Sequence, residues 1–249
     1  PPPAPSPPPS MGTGSDFVTP VTSVTATSAY GTTYQLGLAL GARAENVYTI
    51  FGQPGSDLVM PPAYQVPAPF GVDIAGVNPL LYAASPDAAY DSWLTVGSTD
   101  GSGSSDISSI GIDWGSWTAT NGLSTDNGAI FWMNPDAGPA QSHGVEIAVV
   151  AQITLPAGTR GFGGATPTVA AQGRPMLHGI RGESHPDWTM FNIAFPPPSS
   201  GSSPPPPPPP PPQIDRCWLP PDYVATPCQN GGTCTTVGDT YQCSCRPGF

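Results

Sequence analysis

Apolar and polar residues alternate with period two over several stretches of the chain, the pattern of strands with one buried face. In Thr33 to Leu40, Tyr34, Leu36, Leu38 and Leu40 share one face, while Gln35, Gly37 and Ala39 share the other. The longest alternation sets Val145, Ile147, Val149, Ala151, Ile153 and Leu155 against Glu146, Ala148, Val150, Gln152 and Thr154, which predicts a central strand. Shorter runs predict strands at Val18 to Thr27, Asn46 to Phe51, Asp91 to Gly97, Ile107 to Trp114, Ala129 to Met133, Thr166 to Gln172 and Trp188 to Phe195. Turn-forming clusters separate them, among them Gln53-Pro54-Gly55-Ser56, Asn121-Gly122 and Asp126-Asn127-Gly128.

No window carries a helical stripe with capping signals. Asn78 to Ser92 has room for a turn or two of helix, interrupted by Pro79 and Pro86. Many short strands joined by Gly and Asn turns predict an all-β fold, an antiparallel β-sandwich or jelly roll, over residues 11–198. Its core is expected to be aromatic, from Tyr34, Phe51, Trp93, Trp114, Trp117, Phe131, Trp132, Trp188 and Phe191. Met60 to Pro69 carries four prolines, so it is expected to run extended along an edge or surface and to block an edge from pairing.

Proline bounds that block. Residues 1–10 form a Pro-rich linker, and residues 199–213 a Gly/Ser segment followed by nine consecutive prolines, Pro204 to Pro212. Proline has no amide donor and a fixed φ, so such a run adopts polyproline II and holds its ends about 28 Å apart at ~3.1 Å per residue. A bead is thus set between stiff spacers, with a small Cys-containing block at 214–249.

Charged residues are only 9% of the chain, and their balance is 17 acidic to 6 basic, every basic residue being Arg. The net charge of −11 excludes a nucleic-acid partner, which needs a basic face, and disfavours an anionic membrane surface. No apolar run is long enough to insert directly into a bilayer. With so few charges, a surface of Ser, Thr, Gly and Ala is expected to be covered by glycans or by neighbouring subunits.

Catalytic chemistry finds little support. Gly-x-Ser-x-Gly does not occur. His143, His178 and His185 share no short ligand spacing and are expected in loops. Asp91, Asp113, Glu146 and Asp187 lie in or near strands, and only a pair facing across one cleft would serve glycoside hydrolysis. Asp100 and Asp106 bracket a Gly/Ser loop whose oxygens suit calcium, without the spacing of an EF-hand. Trp114 and Trp117 could stack on sugar rings, but packing is their expected use. The chain is read as non-enzymatic and without a cofactor, calcium at Asp100 and Asp106 belonging to the alternative reading below.

All five cysteines fall between Cys217 and Cys245, which points to a disulfide-stapled module in an oxidising, extracellular compartment. Cys217, Cys228-Gln229-Asn230-Gly231-Gly232-Thr233-Cys234 and Tyr241-Gln242-Cys243-Ser244-Cys245-Arg246-Pro247-Gly248-Phe249 resemble an EGF-like module. The resemblance implies Cys217 with Cys234, Cys228 with Cys243, and Cys245 with a cysteine beyond residue 249. The chain is accordingly expected to be an internal piece of a longer secreted protein. The acidic positions of calcium-binding members are met by Asp215 but not by Gln213, Arg216 or Thr236. Thr233 stands where such modules are O-fucosylated.

Ser6-Pro7-Pro8-Pro9 and Ser203 with its prolines resemble the hydroxyproline-rich glycoproteins of plant and green-algal walls and flagellar hairs. That likeness implies hydroxylation and O-glycans at Ser6, Pro7, Pro8, Pro9, Ser203, Pro204, Pro205, Pro206, Pro207, Pro208, Pro209, Pro210, Pro211 and Pro212. No Asn-x-Ser/Thr sequon exists, so any glycan is O-linked. The expected function is a structural subunit of an extracellular fibre, cell wall or flagellar hair, with copies of itself or sister subunits as partners. The alternative is a secreted lectin-like or adhesive module on a stalk, using calcium. An enzyme acting on wall polysaccharide ranks third.

Overall fold

The computed structural model describes residues 10–11, 16–176, 186–197, 233–237 and 240–244. The chain divides into two compact units, Pro1–Pro206 and Pro207–Phe249. The strands of the first are β1 (Ser10–Met11), β2 (Val18–Ser28), β3 (Gly31–Leu40), β4 (Thr49–Gly52), β5 (Leu58–Met60), β6 (Trp93–Leu94), β7 (Ile107–Ile110), β8 (Leu123–Thr125), β9 (Gly128–Trp132), β10 (Ile147–Leu155), β11 (Thr168–Gly173) and β12 (Trp188–Ala194). In the second unit β13 (Thr233–Val237) and β14 (Thr240–Ser244) form an antiparallel hairpin.

The first unit is an antiparallel sandwich. One sheet runs β1-β2-β3-β10-β6, and the other β7-β9-β4-β11-β5-β8, with β12 also paired to β11. Leu36 and Leu38 of β3 and Ile153 and Leu155 of β10 share one core with Ile50 of β4, Ile130 of β9 and Val169 of β11. As the alternation predicts, β10 lies between two partners, β3 and β6.

Several expectations are corrected. A register shift between Val149 and Ala151 reverses the alternation of β10, so that Ala148 and Val150 enter the core before it and Ala151, Ile153 and Leu155 after it. The bulge adds one residue and thereby swaps the faces. The core is mainly aliphatic: Tyr34, Trp93, Trp117 and Trp188 are buried, but Phe51, Trp114, Phe131 and Trp132 are half-buried and Phe191 is exposed. Indole N–H groups need acceptors, which the margins supply. Trp117 donates to the Pro61 carbonyl at 2.8 Å, Trp132 to that of Val96 at 2.6 Å and Trp188 to that of Arg174 at 3.0 Å.

The strand expected over Asp91 to Gly97 shrinks to Trp93–Leu94, and β7 stops at Ile110 because Gly111 turns the chain with φ 69°. Two strands, β5 and β8, have no counterpart in the periodicity. They continue β4 and β9, whose pairing is interrupted where residues 53–57 on one side are spanned by 126–127 on the other. The turn Gln53 to Ser56 is extruded there and closed by reciprocal Gln53 and Ser56 main-chain bonds.

The connection from 61 to 92 crosses to the outer side of the first sheet. Its opening stretch is extended, as expected of its prolines, and the Tyr64 amide donates to the Thr154 carbonyl of β10. Pro61, Ala63 and Val66 are buried, however, so the segment is an inserted strap rather than a surface loop. Pro79 and Pro86 open two 3-10 turns, Pro79–Ala83 and Pro86–Tyr90, instead of breaking one helix. The strap covers Trp93 and Val149 with Val77, Ala88 and Leu81, a second small core.

Glycine is required where strands come closest. A Cβ at Gly52 would lie 2.0 Å from the Thr125 carbonyl oxygen and 2.6 Å from the Leu58 amide nitrogen, whereas one at Gly55 (φ 82°) would meet nothing within 4 Å. Gly52→Ala is expected to lower the unfolding free energy by about 3 kcal/mol or more, and Gly55→Ala by only about 1–2 kcal/mol of backbone strain. Urea titration followed by tryptophan fluorescence measures both.

Candidate functional site

Ile50, Ile107 and Ile130 point into the core, so their neighbours on β4, β7 and β9 point outward. Cross-strand registers order these neighbours into two rows. One runs Ile110, Ala129, Phe51, Ala170; the other runs Ser108, Phe131, Thr49, Gln172, Thr189. Phe191 of β12 extends the first row, its ring edge-on to Phe51 at 6.2 Å. None of these ten residues is charged, and Ile110 and Phe191, near opposite margins, are 66% and 48% exposed. Between them is a shallow depression of about 270 Å³, lined by Phe51, Gly52, Ile110, Asn127, Gly128 and Gln172 among others.

Charge resumes just past Gly173. Arg174 donates to Asp136 Oδ1 at 2.8 Å through Nε and to Asp187 Oδ1 at 2.9 Å through Nη1. The Tyr48 hydroxyl donates to Asp187 Oδ2 at 2.8 Å, and burial together with that carboxylate pushes the phenol's pKa upward. A larger cleft of about 520 Å³ adjoins this network, lined by Phe17, Arg43, Pro175, Met176, Asp187 and Trp188 among others. Its aromatic faces are already engaged: Phe17 stacks on Trp188 at 5.6 Å, and the Arg43 guanidinium lies 4.8 Å from the Phe17 centroid.

The four carboxylates singled out from the sequence have separate environments. Asp91 is buried within the strap, Asp187 is bound by Arg174 and Tyr48, and Asp113 and Glu146 are exposed. In the loop from 100 to 106, the Ser102 side chain and then its amide, which donates to Asp100 Oδ1 at 3.0 Å, hold the Asp100 carboxyl below the usual range. Asp106 is exposed, and its amide donates to the Gly103 carbonyl. These are the bonds of consecutive tight turns. His143 is exposed in a 3-10 turn; His178 and His185 lie outside the described residues. Among the described residues, no group of three or more His, Cys, Asp or Glu side chains is placed to hold a metal ion.

Trp117 is buried, and Trp114 packs against the core with its N–H 3.3 Å from Ser109 Oγ, so packing accounts for both. Cys234 and Cys243 are direct partners across the β13–β14 hairpin. Cys217, Cys228 and Cys245 lie outside the described residues, as do Ser6, Ser203 and the prolines expected to carry glycans. Thr233 opens β13. The outward rows themselves escape a sequence reading, because Ile50-Phe51 and Ile130-Phe131 are apolar at both phases of the alternation.

A family model described as EGF-like domain matches residues 224–249, a span that takes in Cys228, Cys234, Cys243 and Cys245 and begins after Cys217. EGF-like domains are typically extracellular, and no helix among the described residues is long and apolar enough to cross a membrane. Neither the curated proteins nor the solved structures compared with the chain gave a match.

Among the described residues Asp91 is the one buried carboxylate. Its Oδ1 accepts from the Val66 amide at 2.8 Å and its Oδ2 from the Val72 amide at 2.7 Å, so it clamps both ends of the bend carrying Pro67 to Gly71. Burial outweighs these bonds and pushes its pKa up to about 6 from 3.8. With the folded pKa above the unfolded one, the group's contribution to stability is full below about pH 4 and is lost as pH rises through about 6. The difference amounts to about 3 kcal/mol at ~1.4 kcal/mol per tenfold change. Asp73, also raised by burial, acts in the same direction. Urea midpoints are expected to fall from pH 4.5 to pH 7.5, and Asp91→Asn is expected to remove most of that slope, checked by titrating both proteins across about this range.

Proposed function

We propose that this chain is a segment of an extracellular, non-enzymatic structural glycoprotein, in which a β-sandwich bead and an EGF-like joint are spaced by O-glycosylated polyproline rods. The observation that carries the reading is the uncharged outer face of the second sheet, with Ile110 and Phe191 open to solvent on a chain of net charge −11. An uncharged face of this kind, with large apolar side chains exposed on it, suits association with neighbouring subunits, in a surface fibre, a wall or a flagellar hair. The separate settings of Asp91, Asp113, Glu146 and Asp187 give further support, since two-carboxylate hydrolysis needs a facing pair.

The alternative, a lectin-like module on a stalk, draws on the depression beside Phe51, which Asn127 and Gln172 also line. A glycan array probed with and without chelator separates the two readings, because only the second needs a saturable sugar site.

Glycopeptide mapping of the protein from its native source is the direct test of the first. Peptides covering Pro204 to Pro212 are expected to carry hydroxyl and sugar masses, and native material is expected to sediment as assemblies. Unmodified prolines in a protein that stays monomeric would overturn the reading.

A further inference from the structure

We propose that the outer face of the second sheet pairs with the same face of a second copy of this chain, about a two-fold axis that lies between the faces and runs parallel to β4. This rests on the structural reading above and names the partner of that face. The first sheet has a cover of its own at β6 and β10, where the 61–92 strap buries Trp93 and packs against Val149. On the second sheet the corresponding side leaves Ile110 66% and Phe191 48% exposed.

Charge selects the partner. Copies that each carry −11 repel one another at most approaches, and the two rows from Ile110 to Phe191 and from Ser108 to Thr189 form a face without a carboxylate. Pairing like with like places no ionised group in the contact, so no charge is buried unpaired.

The geometry suits a two-fold. Strand order across the face is β7, β9, β4, β11, β12, so β4 is central and the protruding Ile110 and Phe191 sit near opposite margins. A two-fold axis lying between the two faces, parallel to β4 and over it, sets Ile110 of each copy against Phe191 of the other and brings the Phe51 rings together at the axis, the reciprocal pattern of an isologous contact. Sheets packed face to face lie about 10 Å apart, a spacing that Ile and Phe side chains fill.

Size fixes the strength. Five strands spaced ~4.8 Å and two rows ~7 Å apart give a face of roughly 300 Å² per copy, well under the ~800 Å² of a stable interface. The isolated pair is therefore weak, with a Kd of roughly 0.1–1 mM, and becomes effective only when copies are tethered at ~mM local concentration along a fibre.

Sedimentation equilibrium of the full 249-residue chain up to about 1 mM is the test, with amide chemical shifts followed over the same range. Dimerisation is expected, tightening in ~1 M salt as repulsion is screened. Ile110→Ser and Phe191→Ser are each expected to weaken it about tenfold. Leu80→Ser, at a side chain 84% exposed on the 3-10 turn of the strap, is expected to leave it unchanged. Shifts are expected at 49–51, 108–110, 129–131 and 189–191.

The proposal is overturned if the variants dimerise like the parent, or if the shifts map elsewhere. A chain that stays monomeric, including one whose same amides shift with a neutral oligosaccharide, also overturns it. Glycosylated prolines and native assemblies persisting through such a result would leave the structural reading standing and remove only this contact.

Discussion

Leu36 and Leu38 on β3 and Ile153 and Leu155 on β10 share a core with Ile50, Ile130 and Val169 of the opposite sheet, and this packing positions the rest of the bead. The block from 11 to 198 has no cysteine and few charges, so its stability comes from apolar burial, at about 1.5–3 kcal/mol per large side chain, and from backbone ladders. Most polar side chains inside are paired. Thr33 and Thr154 share a bond of 2.8 Å, the Gln152 side-chain amide donates to the Asp91 carbonyl, and the Thr154 amide donates to Ser92 Oγ. Among the described residues only Gln65 Nε2 and Thr95 Oγ1 are buried without a partner.

The two sheets finish their outer sides differently. On the first, the chain leaves β5 and lays the 61–92 strap over Trp93 and Val149, with Asp91 clamping the Val66 and Val72 amides. A carboxylate there satisfies two backbone donors at once, at the cost of being hard to ionise. Three tyrosines close that end: Tyr30 from the β2–β3 turn lies 4.9 Å from Tyr64 of the strap and 5.6 Å from Tyr90 of its second 3-10 turn. Among the described residues the second sheet receives no comparable segment, and Phe51 and Phe131 there are half-buried and Phe191 is exposed.

Much of the fold is legible in the sequence because strand periodicity is local. Thr33 to Leu40 alternates in phase, so its buried face with Tyr34, Leu36 and Leu38 follows directly, although the strand begins two residues earlier at Gly31. Val145 to Leu155 is harder, since Ala148, Val150 and Ala151 are apolar at adjacent positions and nothing local marks the bulge that turns all three inward. β5 and β8 are too short to show a period; they exist because β4 and β9 resume pairing beyond an extruded turn.

By itself the sequence determined the class of fold, the proline boundaries, the EGF-like pattern and the scarcity of charge, all properties of composition or of spacing along the chain. It could not determine which aromatic residues are inside. Phe51, Phe131 and Phe191 read as core by hydrophobicity alone, and strand phase and sheet order decided that they line an outer face instead. The separation of Asp91, Asp113, Glu146 and Asp187 was likewise settled only by tertiary structure, because distance between side chains depends on which strands become neighbours, and that is fixed by pairings between residues far apart in the chain.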